Sequence, residues 1–137
     1  MLVVDANVLL YLVLEGPRQP LAEELRRDDG EWRTSTLAKY EALNALATMR
    51  RAAMLGAGEA SAALGRIGDF CARAEIRTAA PSVLEAAHAM AISGYDAHYI
   101  VLARALRCPL VSEDGRLRRA APDVARSMAE AVRALRG

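Results

Sequence analysis

Short strand-like segments alternate with helix-length segments along the whole chain, and this alternation constrains the fold more than any other feature. The first such segment, Leu2-Val3-Val4, is wholly apolar, as in a strand that is buried on both faces. Short links join the strand-like segments to the helices, which favours parallel strands connected by helical crossovers. We therefore expect an α/β fold, a three-layer α/β/α sandwich with a central parallel sheet of four or five strands.

The element boundaries follow from caps, glycines and prolines. Strands are predicted at residues 2–4, 32–35, 76–78 and 109–112. Helices are predicted at residues 6–14, 20–28, 37–54, 59–73, 81–92 and 95–107, with a short helix that ends near residue 119. Ser35 or Thr36 would cap the long third segment, and Gly56 and Gly58 would stop it. Residues 124–128 fit either a final edge strand or the start of a last helix.

Length and composition favour one domain over residues 1–137. The 137 residues are 53% hydrophobic, which is enough for a single core without disulfides. Cys71 and Cys108 lie far apart with no metal-ligand spacing, as expected for two reduced, buried thiols. The N-terminal apolar run contains Asp5 and lacks a basic segment, unlike a secretory signal, and no run is long enough to span a membrane. We expect a cytoplasmic protein.

Positive charge is concentrated at the C-terminal end. Residues 115–137 contain six arginines against Asp123 and Glu130, a balance of +4, whereas the whole chain carries +1. This asymmetry indicates either an anionic partner or a solvated helix face. Arg116, Arg118 and Arg119 follow Asp114 closely and are the preferred candidates for contacts with the phosphates of such a partner.

Two aspartates follow predicted strands. Asp5 comes directly after the strand at 2–4, and Asp114 lies just beyond the strand at 109–112. The carboxyl ends of parallel strands border a shared crevice. These two side chains are therefore predicted to meet in space.

Two helices offer further carboxylates. The long helix has an outward stripe of Lys39 and Arg50 and, opposite to it, a second polar stripe. That second stripe consists of Glu41, Asn44, Thr48 and Arg51. It faces either an internal polar site or solvent. Asp96 lies in the first turn of its helix, where a carboxylate is ordinary, but it shares a face with Ile100 and Ala103.

Four acids gathered without lysine or histidine between them would repel one another. Protonation or a hard divalent cation would relieve that repulsion. Ligands that are all oxygen favour Mg²⁺ or Mn²⁺ over zinc, and such ions commonly bind phosphate oxygens and activate a water.

The four acidic segments together resemble the PIN domain, and in particular the VapC-type toxins of bacterial and archaeal toxin–antitoxin pairs. They are Val3-Val4-Asp5-Ala6-Asn7-Val8-Leu9, Tyr40-Glu41-Ala42-Leu43-Asn44, Tyr95-Asp96-Ala97 and Ser112-Glu113-Asp114. The resemblance implies an endoribonuclease dependent on Mg²⁺ or Mn²⁺, usually a homodimer and silenced by a small antitoxin. Ser112 stands where the family commonly has threonine, and the stretch after Pro122 matches weakly.

The resemblance implies a role for each residue of the site. Asp5, Glu41, Asp96 and Asp114 form the catalytic and metal-binding cluster. Asp5 and Asp96 would be the principal metal ligands, while Glu41 and Asp114 complete the site and one of them accepts the proton of the attacking water. Asn7, Asn44 and Ser112 would orient those carboxylates by hydrogen bonds, although Asn44 also fits a helix-surface amide.

Other functions remain open from the sequence. A PIN-like nuclease of RNA processing would share the motifs, and an RNA-binding or scaffold protein would share the fold without catalysis. A phosphatase with an aspartate nucleophile fits poorly, because Asn7 replaces the usual second carboxylate and Lys39 is the only lysine. His88 and His98 fit a helix surface, and Trp32 fits the core or a dimer contact.

Overall fold

The computed structural model describes all of residues 1–137 and contains five strands and eight helices. The strands are β1 (Leu2–Val4), β2 (Trp32–Ser35), β3 (Glu75–Ile76), β4 (Leu110–Val111) and β5 (Ala125–Arg126). The helices are α1 (Ala6–Val13), α2 (Gln19–Asp28), α3 (Ala38–Arg51), α4 (Ala57–Ala74), α5 (Ala80–Met90), α6 (Gly94–Leu106), α7 (Gly115–Ala120) and α8 (Met128–Arg136).

The strands form one parallel sheet in the order β3-β2-β1-β4-β5. β1 lies at the centre, where Leu2 is in register with Trp32 of β2 and Val3 with Leu110 of β4. Parallel neighbours require crossover connections, and a helix supplies each of them. The predicted parallel sheet is confirmed.

Apolar side chains cover both faces of the sheet. Leu2 and Val4 pack in a core cluster with residues of α1, α2, α3, α4 and α8. Val3 points to the opposite face and packs in a second cluster with residues of α6 and α7. Because successive side chains of a strand point to opposite faces, the unbroken apolar run of β1 requires a helical layer on each side. The predicted three-layer α/β/α sandwich is confirmed.

The long helix α3 ends earlier than predicted. It stops at Arg51 rather than residue 54, and Ala53 adopts the left-handed conformation with φ 55°. The N–H groups of Ala53 and Met54 bond back to the carbonyls of Arg50 and Met49 and so close the last turn. The prediction that Gly56 and Gly58 stop α3 was wrong, because Gly56 caps α4 and Gly58 lies inside it.

Both alternatives for residues 124–128 hold in part. β5 occupies Ala125–Arg126, and α8 begins two residues later, capped by the Ser127 hydroxyl. The strand predicted at 76–78 is instead Glu75–Ile76. This strand pairs only with β2. Ser35, the last residue of β2, lies opposite Ile76, so residues 77 and 78 have no strand residue to pair with.

Trp32 and the two cysteines lie in the interior. Trp32 packs edge-on against Phe70, with 6.4 Å between ring centroids, which confirms a core position rather than a dimer contact. Cys71 and Cys108 are buried and free, as predicted. None of the eight helices combines the length and the hydropathy that crossing a bilayer requires.

Candidate active site

A pocket of about 580 Å³ opens where β1, β2 and β4 end and α1, α3, α6 and α7 begin. All four predicted acids line it, together with Asn7, Asn44 and three tyrosines. The lining contains no lysine or arginine. The fold therefore brings together carboxylates that are up to 109 positions apart in the sequence.

Asp5 and Asp114 each cap a helix at the edge of the pocket. The Asp5 carboxylate accepts a hydrogen bond of 3.0 Å from the N–H of Val8 at the start of α1. Asp114 accepts one of 2.9 Å from the N–H of Arg116 at the start of α7. A carboxylate at a helix N-terminus satisfies an unpaired N–H group and offsets the helix dipole. Capping thus places both acids in the pocket.

Glu41 and Asp96 lie in the first turns of α3 and α6. The Ser93 hydroxyl caps α6 by accepting a 3.0 Å bond from the N–H of Asp96. All four acids therefore lie at helix N-termini that border the same pocket. Each acid thus occupies the position at a helix start where a carboxylate is ordinary, and it also lines the shared pocket.

The pocket compensates the charge of Asp5 poorly. Burial raises the pKa of Asp5 from its ordinary 3.8 to about 6, and the neighbouring charges of Glu41 and Asp114 add to the rise. The Ser112 hydroxyl and the N–H of Val8 act in the opposite direction. Burial and the charge of Asp114 also raise the pKa of Asp96, against Ser93 and Arg116. A cation in the pocket would therefore be stabilising.

Tyr99 is a site residue that the sequence did not single out. It is buried on α6, lines the pocket and donates a hydrogen bond from its hydroxyl to Oε1 of Glu41. Burial and the Glu41 charge raise the pKa of Tyr99, so the phenol stays protonated and remains a donor. Tyr99 lies three residues after Asp96 and therefore shares its helix face. Because that face is otherwise apolar, the sequence predicts a core position for Tyr99 equally well.

The predicted orienting residues divide into two kinds. Asn7 and Asn44 are exposed and line the pocket mouth. Ser112 is fully buried beneath it, where its hydroxyl contacts the Asp5 carboxyl and accepts a 3.1 Å bond from the N–H of Asp114. Ser112 thus links the ends of β1 and β4.

The three arginines of α7 that were predicted to bind RNA phosphates do not line the pocket. The guanidinium of Arg116 is 3.7 Å from the Asp114 carboxylate, and its side chain is 82% exposed. Arg118 donates a 2.9 Å bond to the carbonyl of Ser112, and Arg119 is exposed on α7. They flank the site, so phosphate binding by them stays a prediction.

The second polar stripe of α3 lies only partly in the pocket, and His98, predicted for a helix surface, lies outside it. On α3, Glu41 and Asn44 line the pocket, whereas Thr48 and Arg51 of the same polar stripe are exposed. His98 bonds through Nδ1 to the hydroxyl of Thr78, 2.9 Å away. That contact occupies the ring outside the acidic cluster.

A family model for the PIN domain matches residues 2–122. The chain belongs to the PIN domain family. PIN domains are generally metal-dependent nucleases. The match ends before β5 and α8, in agreement with the weak resemblance expected after Pro122.

A solved structure shows the same fold. The crystal structure of PAE2754 from Pyrobaculum aerophilum superposes with a TM-score of 0.78 over 98% of this chain and 88% of that one. The two sequences are 21% identical, so this similarity concerns the fold alone. No curated protein matches the sequence significantly.

The donors of this PIN-domain pocket suit a hard divalent cation. They are carboxylate and amide oxygens, the set that Mg²⁺ and Mn²⁺ prefer. No three acidic, histidine or cysteine side chains are gathered closely enough to form a ready-made cage. Burial, together with neighbouring carboxylates, raises the pKa of both Asp5 and Asp96, and a cation in the pocket would favour their charged forms.

Proposed function

We propose that this PIN-domain protein is an endoribonuclease that hydrolyses RNA phosphodiester bonds with the help of Mg²⁺ or Mn²⁺. One observation carries the proposal: carboxylates from four separate helix N-termini line one open pocket whose lining contains no basic side chain. Helix capping alone would account for acids at this edge of the sheet, but not for four of them lining a single pocket. A dedicated cation site explains their common position.

Each carboxylate has a role in this proposal. Asp5 and Asp96, whose pKa values are raised, would hold the ion, with Glu41 and Asp114 completing its surroundings. Bound Mg²⁺ or Mn²⁺ would supply positive charge to the scissile phosphate and activate the attacking water. Glu41 or Asp114 would accept the proton of that water. Asn7, Asn44 and Ser112 would keep the carboxylates oriented.

We further propose that the protein is the toxin of a VapBC-type toxin–antitoxin pair, acting in the cytoplasm as a homodimer. The support is the order and spacing of the four acidic motifs and the family membership. A small antitoxin would silence it by covering the pocket. A neighbouring reading frame for a short protein with a DNA-binding N-terminus would favour this role over a nuclease of RNA processing.

The decisive experiment is cleavage of defined RNAs with Mg²⁺, with Mn²⁺ and with a chelator. We expect cleavage only with metal, and a loss of at least about 100-fold in rate for Asp5→Asn and Asp96→Asn. Asp69→Asn is the matched control, because Asp69 is an exposed aspartate of α4 outside the pocket. Metal-dependent cleavage that survives both pocket substitutions would overturn the mechanism. RNA binding without cleavage would favour the scaffold alternative.

A further inference from the structure

Two exposed aromatic side chains stand at the mouth of the acidic pocket. Tyr40 is 61% exposed and Tyr95 is 65% exposed, yet both line the pocket. Each lies in the first turn of its helix and directly precedes one of the acids, Glu41 and Asp96. The rings thus approach the same opening from α3 and from α6.

The fold makes little use of these two rings. The hydroxyl of Tyr11 accepts a hydrogen bond from Arg18, and that of Tyr99 donates one to Glu41. Tyr40 has only a cation–π contact, with Nζ of Lys39 5.4 Å from its ring centroid. Exposed tyrosine is also a weaker helix former than alanine or lysine. Folding alone therefore does not explain two tyrosines at this rim.

The negative charge of the pocket limits the contacts by which it can bind a nucleic acid. Phosphate binding by Lys and Arg normally supplies much of the affinity for RNA. The pocket lining has four carboxylates and no basic residue, and the whole chain carries only +1. Arginines flank the pocket on α7 but do not line it, so contacts at its mouth fall to uncharged groups, and stacking of bases on aromatic rings is such a contact.

We propose that Tyr40 and Tyr95 hold unpaired nucleobases of the substrate by stacking, next to the phosphodiester that the acids receive. The proposal rests on the ribonuclease function proposed above and assigns its substrate contacts. Both rings and both acids line the same pocket, so one short stretch of RNA can place a base on a ring and a phosphodiester at the acids. Bases of a duplex are already stacked and hide their faces, so these contacts select single-stranded RNA.

Binding tests the contacts without catalysis. A short fluorescent single-stranded RNA is titrated into Asp5→Asn protein in Mg²⁺ and followed by anisotropy. Adding Tyr40→Ala or Tyr95→Ala should weaken binding about 10-fold each. The phenylalanine variants, which keep the rings, should retain more affinity than the alanine variants. Met54→Ala is the matched control, since Met54 is 69% exposed and outside the pocket.

Abasic substrates test stacking itself. A series of RNAs, each lacking one base, is titrated into the same proteins. Removal of the base that Tyr40 holds should weaken binding about 10-fold, and Tyr40→Ala should then add little further loss. A separate position should show the same non-additivity with Tyr95→Ala. The duplex form of the RNA should bind more weakly and show no dependence on either ring.

The results separate the two proposals. Cleavage that requires Asp5, combined with tyrosine variants that bind like Met54→Ala, would overturn stacking and leave the nuclease standing. Equal losses in the alanine and phenylalanine variants would also overturn stacking, because they point to the hydroxyls. Ring-dependent binding without any cleavage would support stacking and reject hydrolysis.

Discussion

The hydroxyl of Tyr99 and the carboxylate of Glu41 meet inside the pocket although 58 positions separate them. A buried phenol requires a hydrogen-bond partner, and a carboxylate that accepts from a fixed donor loses rotational freedom. Tyr99 is held by the core around α6, so it can fix the direction in which Glu41 faces the pocket. Tyr99 can therefore act by positioning an acid of the pocket.

Tyr99→Phe is expected to raise the metal concentration for half-maximal RNA cleavage by about 10-fold, because Glu41 loses its orienting donor. Metal titrations of the cleavage rate measure this. Tyr11→Phe is the control, since it removes a hydroxyl that bonds to Arg18 away from the pocket. An unchanged metal dependence in Tyr99→Phe would show that the hydrogen bond does not hold Glu41.

At the scale of the elements, the helices end without glycine in the left-handed conformation. Positive φ occurs at Ala53, Ala91 and Arg107, each just after a helix, and at no glycine. A Cβ in this conformation costs about 1 kcal/mol, which glycine avoids. The helix ends therefore retain a strain that single substitutions can relieve.

Ala91→Gly is expected to raise the free energy of unfolding by about 1 kcal/mol, because Ala91 is the left-handed, exposed cap of α5. Ala89→Gly, in the same helix and also exposed, should lower it by about 1 kcal/mol. Urea denaturation of the two variants beside the wild type gives both values. A loss of stability in both would contradict the strain at Ala91.

At the scale of the whole molecule, the buried carboxyl of Asp5 makes the stability of the fold depend on pH. The folded-state pKa of Asp5, about 6, exceeds its ordinary 3.8. The folded protein thus binds this proton more tightly than the unfolded chain, and the associated stability is complete below pH 3.8 and lost as pH rises through 6. Above that pH, the ionised carboxylate destabilises the metal-free fold.

Asp5→Asn is expected to stabilise the metal-free protein by about 2 kcal/mol at pH 8 and to have little effect near pH 4. Asparagine retains the cap of α1 while removing the charge. Mg²⁺ should stabilise the wild type at pH 8 and the variant much less. Urea denaturation in a chelator, and again in Mg²⁺, measures this, with Asp69→Asn as control. A variant less stable than the wild type at pH 8 without metal would show that the charge of Asp5 is already compensated.

The sequence predicted most accurately the bounds of those elements whose ends are marked by local residues. β1 and β2 match their predicted bounds, because β1 is a short apolar run ended by the capping residue Asp5, and β2 lies between the turn at Gly30 and the start of α3. It was least informative at the end of α3, since alanine favours helix and nothing local indicates that Ala53 turns left-handed. The metal-binding and catalytic roles of the four acids stay predictions.

The sequence by itself determined the layered α/β fold and the acids that follow strands or begin helices, because these depend on local pattern and on the shared edge of parallel strands. Only the tertiary structure decided which aromatic rings meet those acids. Tyr99 is buried against Glu41, while Tyr40 and Tyr95 are exposed at the rim. A ring on an apolar helix face has the same local pattern in all three positions, and only the way α3 and α6 pack on the sheet distinguishes them.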